Sequence, residues 1–70
     1  MKRSLTIAGH RTSISLEDPF WQALGEIARA RRISLPSLVA GIDRTRSEAT
    51  NLSAALRLYV LEWFRSRVPN

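Results

Sequence analysis

The sequence predicts a mainly α-helical fold with one short β-strand, completed by a second copy of the chain. Polar and apolar residues alternate over 11–16, and apolar residues then recur at helical spacing in three later segments. The chain has 70 residues and no cysteine, and His10 is its one histidine. A core of this size is marginal alone and usually needs disulfides, a metal or a partner subunit. Disulfides are excluded and a histidine-built metal site is not expected, so we predict a homodimer without metal or cofactor.

The strand is predicted over residues 11–16 because two faces separate cleanly there. One face carries Thr12, Ile14 and Leu16, and the other carries Arg11, Ser13 and Ser15. Leu5 and Ile7 also alternate, but on odd positions, so the phase changes near Gly9. That change indicates a bulge, a bend or the end of a flexible arm. Residues 1–9 are therefore predicted to be an N-terminal arm or an extension of the strand.

The first helix is predicted to begin at Asp18-Pro19. Aspartate is a favourable N-cap residue, and proline at the first helical position loses no hydrogen bond. Phe20, Leu24 and Ile27 then follow at helical spacing, which predicts a helix to about Arg31.

A second helix is predicted to begin at Ser34, whose side chain can cap it, and Pro36 is tolerated in the first turn. Its apolar face contains Leu38, Val39 and Ile42. Residues 43–50 have no apolar face and are predicted to be a fraying helix end and a loop. The predicted core unit of one strand and two helices thus spans residues 10–46.

A third helix is predicted over residues 51–68, capped by Asn51 or Ser53. It carries two neighbouring apolar stripes, formed by Leu52, Leu56, Tyr59, Val60, Trp63 and Phe64 and by Ala54, Leu58 and Leu61. A helix so apolar predicts packing against two neighbours, one of them from another chain.

A single strand needs a partner for its backbone groups. We therefore predict a two-fold dimer in which the strands of two chains pair antiparallel into a ribbon. Such a ribbon fits the major groove of B-DNA. The predicted shared dimer core consists of Thr12, Ile14, Leu16, Phe20, Leu24, Ile27, Leu38, Val39, Ile42, Leu56 and Tyr59.

The order strand, helix, serine-containing turn and helix resembles the ribbon-helix-helix DNA-binding family, of which Arc and MetJ are members. The resemblance runs through "TSISLEDPFWQAL" and "RRISLPSLV" and covers roughly residues 10–46. The segments "GHRTSISLEDPFW" and "NLSAALRLYVLE" also resemble a bacterial subgroup with a C-terminal helical extension. The resemblance implies an intertwined homodimer with an intermolecular antiparallel ribbon.

The resemblance also implies which residues contact DNA. Arg11, Ser13 and Ser15 match the outward ribbon positions that read bases, although family members usually carry at least two long polar side chains there. Ser34 matches the helix start that faces a phosphate, where free N–H groups and the helix dipole favour an anion. The phosphate-contacting set implied is Arg31, Arg32, Ser34 and Ser37. Pro36 departs from the family pattern and removes one N–H group.

The composition is consistent with a nucleic-acid partner, since 11 Lys and Arg against 6 Asp and Glu give a net charge of +5. We predict a cytoplasmic protein that binds double-stranded DNA and has no membrane span, because no apolar stretch is long enough. No catalytic residues are predicted, since no nucleophile with a base and no glycine-rich phosphate loop occurs.

Two alternatives to a transcriptional regulator are open. The first is a protein-interaction module that keeps the dimer without strong DNA reading, with another protein bound through the third helix. The second is the DNA-binding half of an antitoxin, for which a disordered toxin-binding tail is expected.

Overall fold

A computed structural model describes residues 2–67. It contains two strands and three helices, in the order β1 (Lys2–Ile7), β2 (His10–Ser15), α1 (Asp18–Arg31), α2 (Leu35–Thr45) and α3 (Leu52–Arg65). The strands form an antiparallel hairpin, and the helices pack against one of its faces. This is the predicted ribbon-helix-helix order followed by a third helix.

The described chain has two strands where the sequence analysis predicted one. β1 takes the place of the possible arm, and it pairs with β2 from Lys2 opposite Ser15 to Ile7 opposite His10. Ala8 and Gly9 form the turn with φ values of 50° and 83°. Positive φ at both central residues defines the type I′ turn, whose twist matches that of a hairpin. The partner of β2 is thus a strand of the same chain, and its pairing with a second chain stays a prediction.

The N-cap residue of helix α1 lies one position earlier than predicted. Glu17 occupies the N-cap position and makes no side-chain cap hydrogen bond, while Asp18 is the first helical residue. The prediction that Asp18 caps the helix is wrong because its carboxylate is engaged elsewhere, accepting from the Arg3 guanidinium at 2.6 Å. The predicted end at Arg31 is confirmed.

The C-terminus of α1 closes through Arg32, which adopts the left-handed conformation with φ 59°. Its N–H donates to the Arg29 carbonyl at 3.1 Å, and the Ile33 N–H donates to the Ala28 carbonyl at 3.0 Å. This pair of bonds is the Schellman arrangement, which normally uses glycine at the left-handed position.

The caps of the other two helices agree with the sequence. The Ser37 N–H donates to Ser34 Oγ at 3.2 Å at the start of α2. The Ala54 N–H donates to Asn51 Oδ1 at 2.8 Å at the start of α3, which selects Asn51 over Ser53. None of the helices within residues 2–67 is long and apolar enough to cross a membrane.

The core of the described chain lies between the inner face of the hairpin and the three helices. Its buried side chains are Ile7, Ile14, Leu16, Leu24, Ile27, Ala28, Leu38, Val39, Ile42, Leu56 and Val60. Most of the predicted dimer-core residues are therefore buried within one chain, while Thr12, Phe20 and Tyr59 are half-buried. One copy of the chain already encloses the buried members of this set.

The two apolar stripes of α3 have different surroundings. Leu56 and Val60 of the first stripe are buried in the core. Leu58 and Leu61 of the second stripe remain 56% and 49% exposed. Phe64, assigned to the first stripe from sequence, is 42% exposed.

Candidate nucleic-acid interface

The hairpin turns a wholly polar surface away from the helices. Cross-strand neighbours on it are Lys2 with Ser15, Ser4 with Ser13, and Thr6 with Arg11. All of these side chains are exposed. We call this set, Lys2, Ser4, Thr6, Arg11, Ser13 and Ser15, the outer face of the hairpin. It contains two cations, four hydroxyls and no acid, so its potential favours an anionic partner.

The predicted base-reading residues lie together on this face. Arg11, Ser13 and Ser15 are successive outward positions of β2 and are exposed. Their inward neighbours differ: Ile14 is only 2% exposed and Thr12 is half-buried. The alternation read from the sequence therefore holds over the whole of β2.

Sequence reasoning missed the contribution of β1, namely Lys2, Ser4 and Thr6. The signal was the change of phase near Gly9. In a hairpin with a two-residue turn, each pair joins an odd-numbered position to an even-numbered one, as Leu5 opposite Thr12 shows. A hairpin that buries one face therefore needs apolar residues on odd positions before the turn and on even positions after it.

Ionic and cation–π contacts attach the hairpin to the helices. Arg3, on the inner side of β1, binds Asp18 at 2.6 Å and lies 5.1 Å from the centre of the Trp21 ring. Glu17, at the junction of β2 and α1, accepts from Arg57 of α3 at 2.8 and 3.2 Å. These hydrogen bonds to Arg57 lower the pKa of the Glu17 carboxyl. Because the Arg3 side chain contacts α1 and not the solvent side of the hairpin, Lys2 and Arg11 supply the charge of the outer face.

The residues predicted to contact phosphate lie around the start of α2, but some are already engaged. Ser34 Oγ accepts from the Ser37 N–H and donates to Ser37 Oγ at 2.9 Å. The Arg31 guanidinium donates to Tyr59 Oη at 2.9 Å. Arg32 is exposed on the left-handed turn before the helix.

The Ser34 cap has an electrostatic consequence for this helix start. Pro36 has no N–H group, and the Ser37 N–H is bound to Ser34 Oγ. Of the first three residues of α2, Leu35 alone keeps an N–H without a partner in the part of the chain described. An anion here would meet one free N–H instead of the two or three that make a helix start attractive.

Hollows lie between the helices of the described chain, and two of them are lined mainly by α2 and α3 residues. One has a volume of about 320 Å³ between the end of α2 and α3, with Ile42, Ala55, Leu58 and Tyr59 among its lining residues. The other, about 450 Å³, lies between the end of α1, α2 and Tyr59, with Arg31 and Arg44 at its edge. No group of three His, Asp or Glu side chains that could hold a metal ion occurs among residues 2–67.

The described chain thus presents a ribbon with a polar, cationic outer face, followed by helices that cover its inner face. The sequence profile of the family described as "Ribbon-helix-helix domain" matches residues 1–64. The chain therefore belongs to the ribbon-helix-helix family, whose members are in general DNA-binding regulators and not enzymes. Comparison with curated proteins and with solved structures finds no match.

Proposed function

We propose that this protein is a homodimeric, cytoplasmic DNA-binding regulator that inserts the β2 strands of two chains into the major groove of duplex DNA. The observation that carries the proposal is the outer face of the hairpin, which combines cations and hydroxyls without an acid. Arg11 is its one long base-reading side chain on β2, and arginine commonly binds guanine with two hydrogen bonds. Ser13 and Ser15 are short and discriminate little between bases.

The backbone of β2 supports pairing of two copies. In a two-residue hairpin the pair next to the turn, Ile7 and His10, exchanges hydrogen bonds, and hydrogen-bonded pairs then alternate along the strands. The backbone groups of Arg11, Ser13 and Ser15 therefore point away from β1. They form a free edge, and an unpaired edge is a ready template for another strand.

A two-fold axis at Ser13 would use this edge completely. Arg11 would lie opposite the partner's Ser15, and Ser13 opposite the partner's Ser13. The result is a four-stranded sheet in the order β1-β2-β2-β1, with both outer faces on one side. Proposed base contacts come from Arg11, Ser13 and Ser15 of both chains.

For phosphate contacts we propose the set Arg31, Arg32, Ser34 and Ser37, with Arg32 as its principal member. Arg32 is exposed and precedes α2 directly. Arg31 already donates one of its guanidinium N–H groups to the Tyr59 hydroxyl, which ties it to α3. Its substitution therefore tests α1–α3 packing as well as DNA binding, and Arg32 gives the cleaner test.

The deciding experiment is fluorescence anisotropy on a duplex selected from a random pool and on its scrambled counterpart, at several salt concentrations. Arg11→Ala should cost about 1–3 kcal/mol on the selected duplex and remove the preference for it. Arg32→Ala should weaken both duplexes alike and lower the salt dependence. If the wild type binds no duplex even at about 50 mM salt, where phosphate contacts are strong, the regulator proposal fails.

A protein-interaction module is the second candidate, and the exposed side chains of Leu58, Leu61 and Phe64 favour it. Exposed apolar patches of this kind commonly mark contact sites for other proteins. Replacing Leu58 and Leu61 together by serine, which changes no charge, separates the two candidates. A DNA-binding protein should keep its duplex affinity in this variant, while a protein-interaction module should lose its partner.

A further inference from the structure

The strand β1 carries an exposed row of side chains that the proposed base-reading set does not use. Lys2, Ser4 and Thr6 all lie on the outer face of the hairpin. Every one of them can donate a hydrogen bond, and none is acidic. These three side chains do not contribute to the core, because Arg3, Leu5 and Ile7 are the residues of β1 that face the helices.

We propose that β1 binds the DNA phosphates along both rims of the major groove while β2 reads the bases between them. This inference depends on the proposed function and assigns the first strand a positioning role in it. Lys2, Ser4 and Thr6 are its phosphate-contacting residues, with two copies of each in the dimer.

The spacing of the strands determines which part of the DNA each one meets. Neighbouring strands are about 4.8 Å apart, so in the order β1-β2-β2-β1 the inner strands run about 2.4 Å from the two-fold axis and the outer strands about 7.2 Å. The major groove is about 12 Å wide, so its rims lie about 6 Å from its centre line. The two β2 strands therefore fit between the rims, and each β1 strand lies over one.

The chemistry of β1 matches that position. Hydroxyl and ammonium groups are common partners of phosphate oxygens, and such contacts fix register without reading sequence. Lys2 lies opposite Ser15 and Thr6 opposite Arg11, so each β1 side chain neighbours a base-reading residue of β2. Phosphate contacts by β1 would then hold Arg11 in register against the base edges.

The charge of Lys2 gives the first test. In the dimer, Lys2→Ala removes two phosphate contacts, which should reduce the slope of log K against log salt by about 1.8. Affinity at about 0.1 M salt should fall roughly tenfold to a hundredfold, equally on selected and scrambled duplexes. Arg65→Ala is the matched control, because Arg65 is an exposed cation on α3 and not on the outer face; its slope should stay near that of the wild type.

The hydroxyls give a test with a different signature. Ser4→Ala combined with Thr6→Val removes two hydroxyls per chain and no charge. Binding to all duplexes should weaken at least about fivefold, the factor equivalent to one hydrogen bond of about 1 kcal/mol. The salt slope should not change. Circular dichroism should show both variants folded, since these positions are exposed on the outer face.

The outcomes separate this inference from the proposed function. If Lys2→Ala removes sequence preference as Arg11→Ala does, β1 reads bases within the groove and the rim assignment is wrong. If Arg11→Ala acts as proposed but the β1 variants bind like the wild type, only this inference fails. If the wild type binds no duplex, both fail together.

Discussion

The hairpin and α3 each turn one face into the same core and another into solvent, but their solvent faces are chemically opposite. The outer face of the hairpin carries cations and hydroxyls only. The outer stripe of α3, formed by Leu58, Leu61 and Phe64, is apolar and 42–56% exposed. A surface of the first kind remains hydrated until a polyanion displaces its water and counterions, whereas the second gains free energy whenever apolar atoms cover it.

Two chemically opposite surfaces thus share one small core without sharing residues. Ile14 and Leu16 anchor the hairpin in that core, while Leu56 and Val60 anchor α3 in it. In each element, buried positions that hold the fold together stand beside exposed positions that face solvent. Substitutions at neighbouring positions should therefore separate folding from binding, first in the hairpin and then in α3.

The largest effect is expected in the hairpin. Ile14→Asp places a carboxylate where the side chain is 2% exposed, and a buried unpaired charge costs several kcal/mol. A chain of this length has roughly 4–10 kcal/mol of stability in total, so the variant should be unfolded. Ser13→Asp, one residue earlier on the outer face, should fold and lose duplex affinity, because the carboxylates repel the phosphates and also each other across the proposed two-fold axis.

Circular dichroism at 25 °C and anisotropy distinguish these two variants. A cooperatively melting Ile14→Asp chain would mean that the inner face of the hairpin is not part of the core. An unfolded Ser13→Asp chain would mean that the outer face is covered by protein in the native state.

The equivalent test in α3 should have the next largest effect. Leu56→Ala empties a site that is 0% exposed and should lower the free energy of unfolding by about 2–5 kcal/mol. Leu58→Ala, two residues later on the outer stripe, should change it by less than about 0.5 kcal/mol. Urea denaturation measures both. A large loss at Leu58 would show that a second copy buries the outer stripe in solution, which sedimentation at several concentrations would then detect.

Most of the helical architecture could be predicted from sequence because its signals are local. Ser34 and Asn51 are capping residues whose hydrogen bonds span three positions, and both cap as their residue types indicate. The end of α1 at Arg31 was also predicted, although the residue at the left-handed position is Arg32 and not glycine. Local chemistry failed at Asp18, because a residue from β1, Arg3, binds its carboxylate.

The second strand was missed because its signal is a relation between two segments. Ala8 is an unusual residue at positive φ, so the turn lacks the Asn-Gly or Asp-Gly signature of type I′ hairpins. The outer face is in consequence twice as large as β2 alone provides, and Lys2, Ser4 and Thr6 could be assigned to it only from the register. The engagement of Arg31 by Tyr59 is likewise a contact between residues distant in sequence.

Substitutions in the turn should change the free energy of unfolding by less than the core substitutions, and one of them should raise it. Ala8 has φ 50°, a conformation that costs an L-residue with a Cβ about 1 kcal/mol. Ala8→Asn restores the preferred Asn-Gly pair and should raise the free energy of unfolding by up to about 1 kcal/mol. Ala8→Val, a β-branched residue at positive φ, is the control and should lower it. Equal melting temperatures for the two variants would contradict the type I′ turn.

The smallest effect is expected where the two regions are joined, at the pair between Glu17 after the hairpin and Arg57 of α3. The hydrogen bonds from Arg57 lower the pKa of Glu17 below its ordinary value of 4.5. A carboxyl group with a lowered pKa in the folded state stabilises the fold above its ordinary pKa, and this contribution is lost as the pH falls through the folded-state value. Stability should therefore decrease slightly below about pH 4.5, and Glu17→Gln should remove that part of the decrease. The pair is exposed and screened by water, so the difference should be small and should shrink further in high salt.

Glu26→Gln is the matched control, since Glu26 is an exposed glutamate of α1 with no ion pair in the described chain. Melting temperatures of the three proteins between pH 3 and pH 7 measure the effect. If Glu17→Gln follows the wild type at every pH, as Glu26→Gln is expected to do, the pair between Glu17 and Arg57 adds no measurable stability and the hairpin and α3 are joined through the shared core alone.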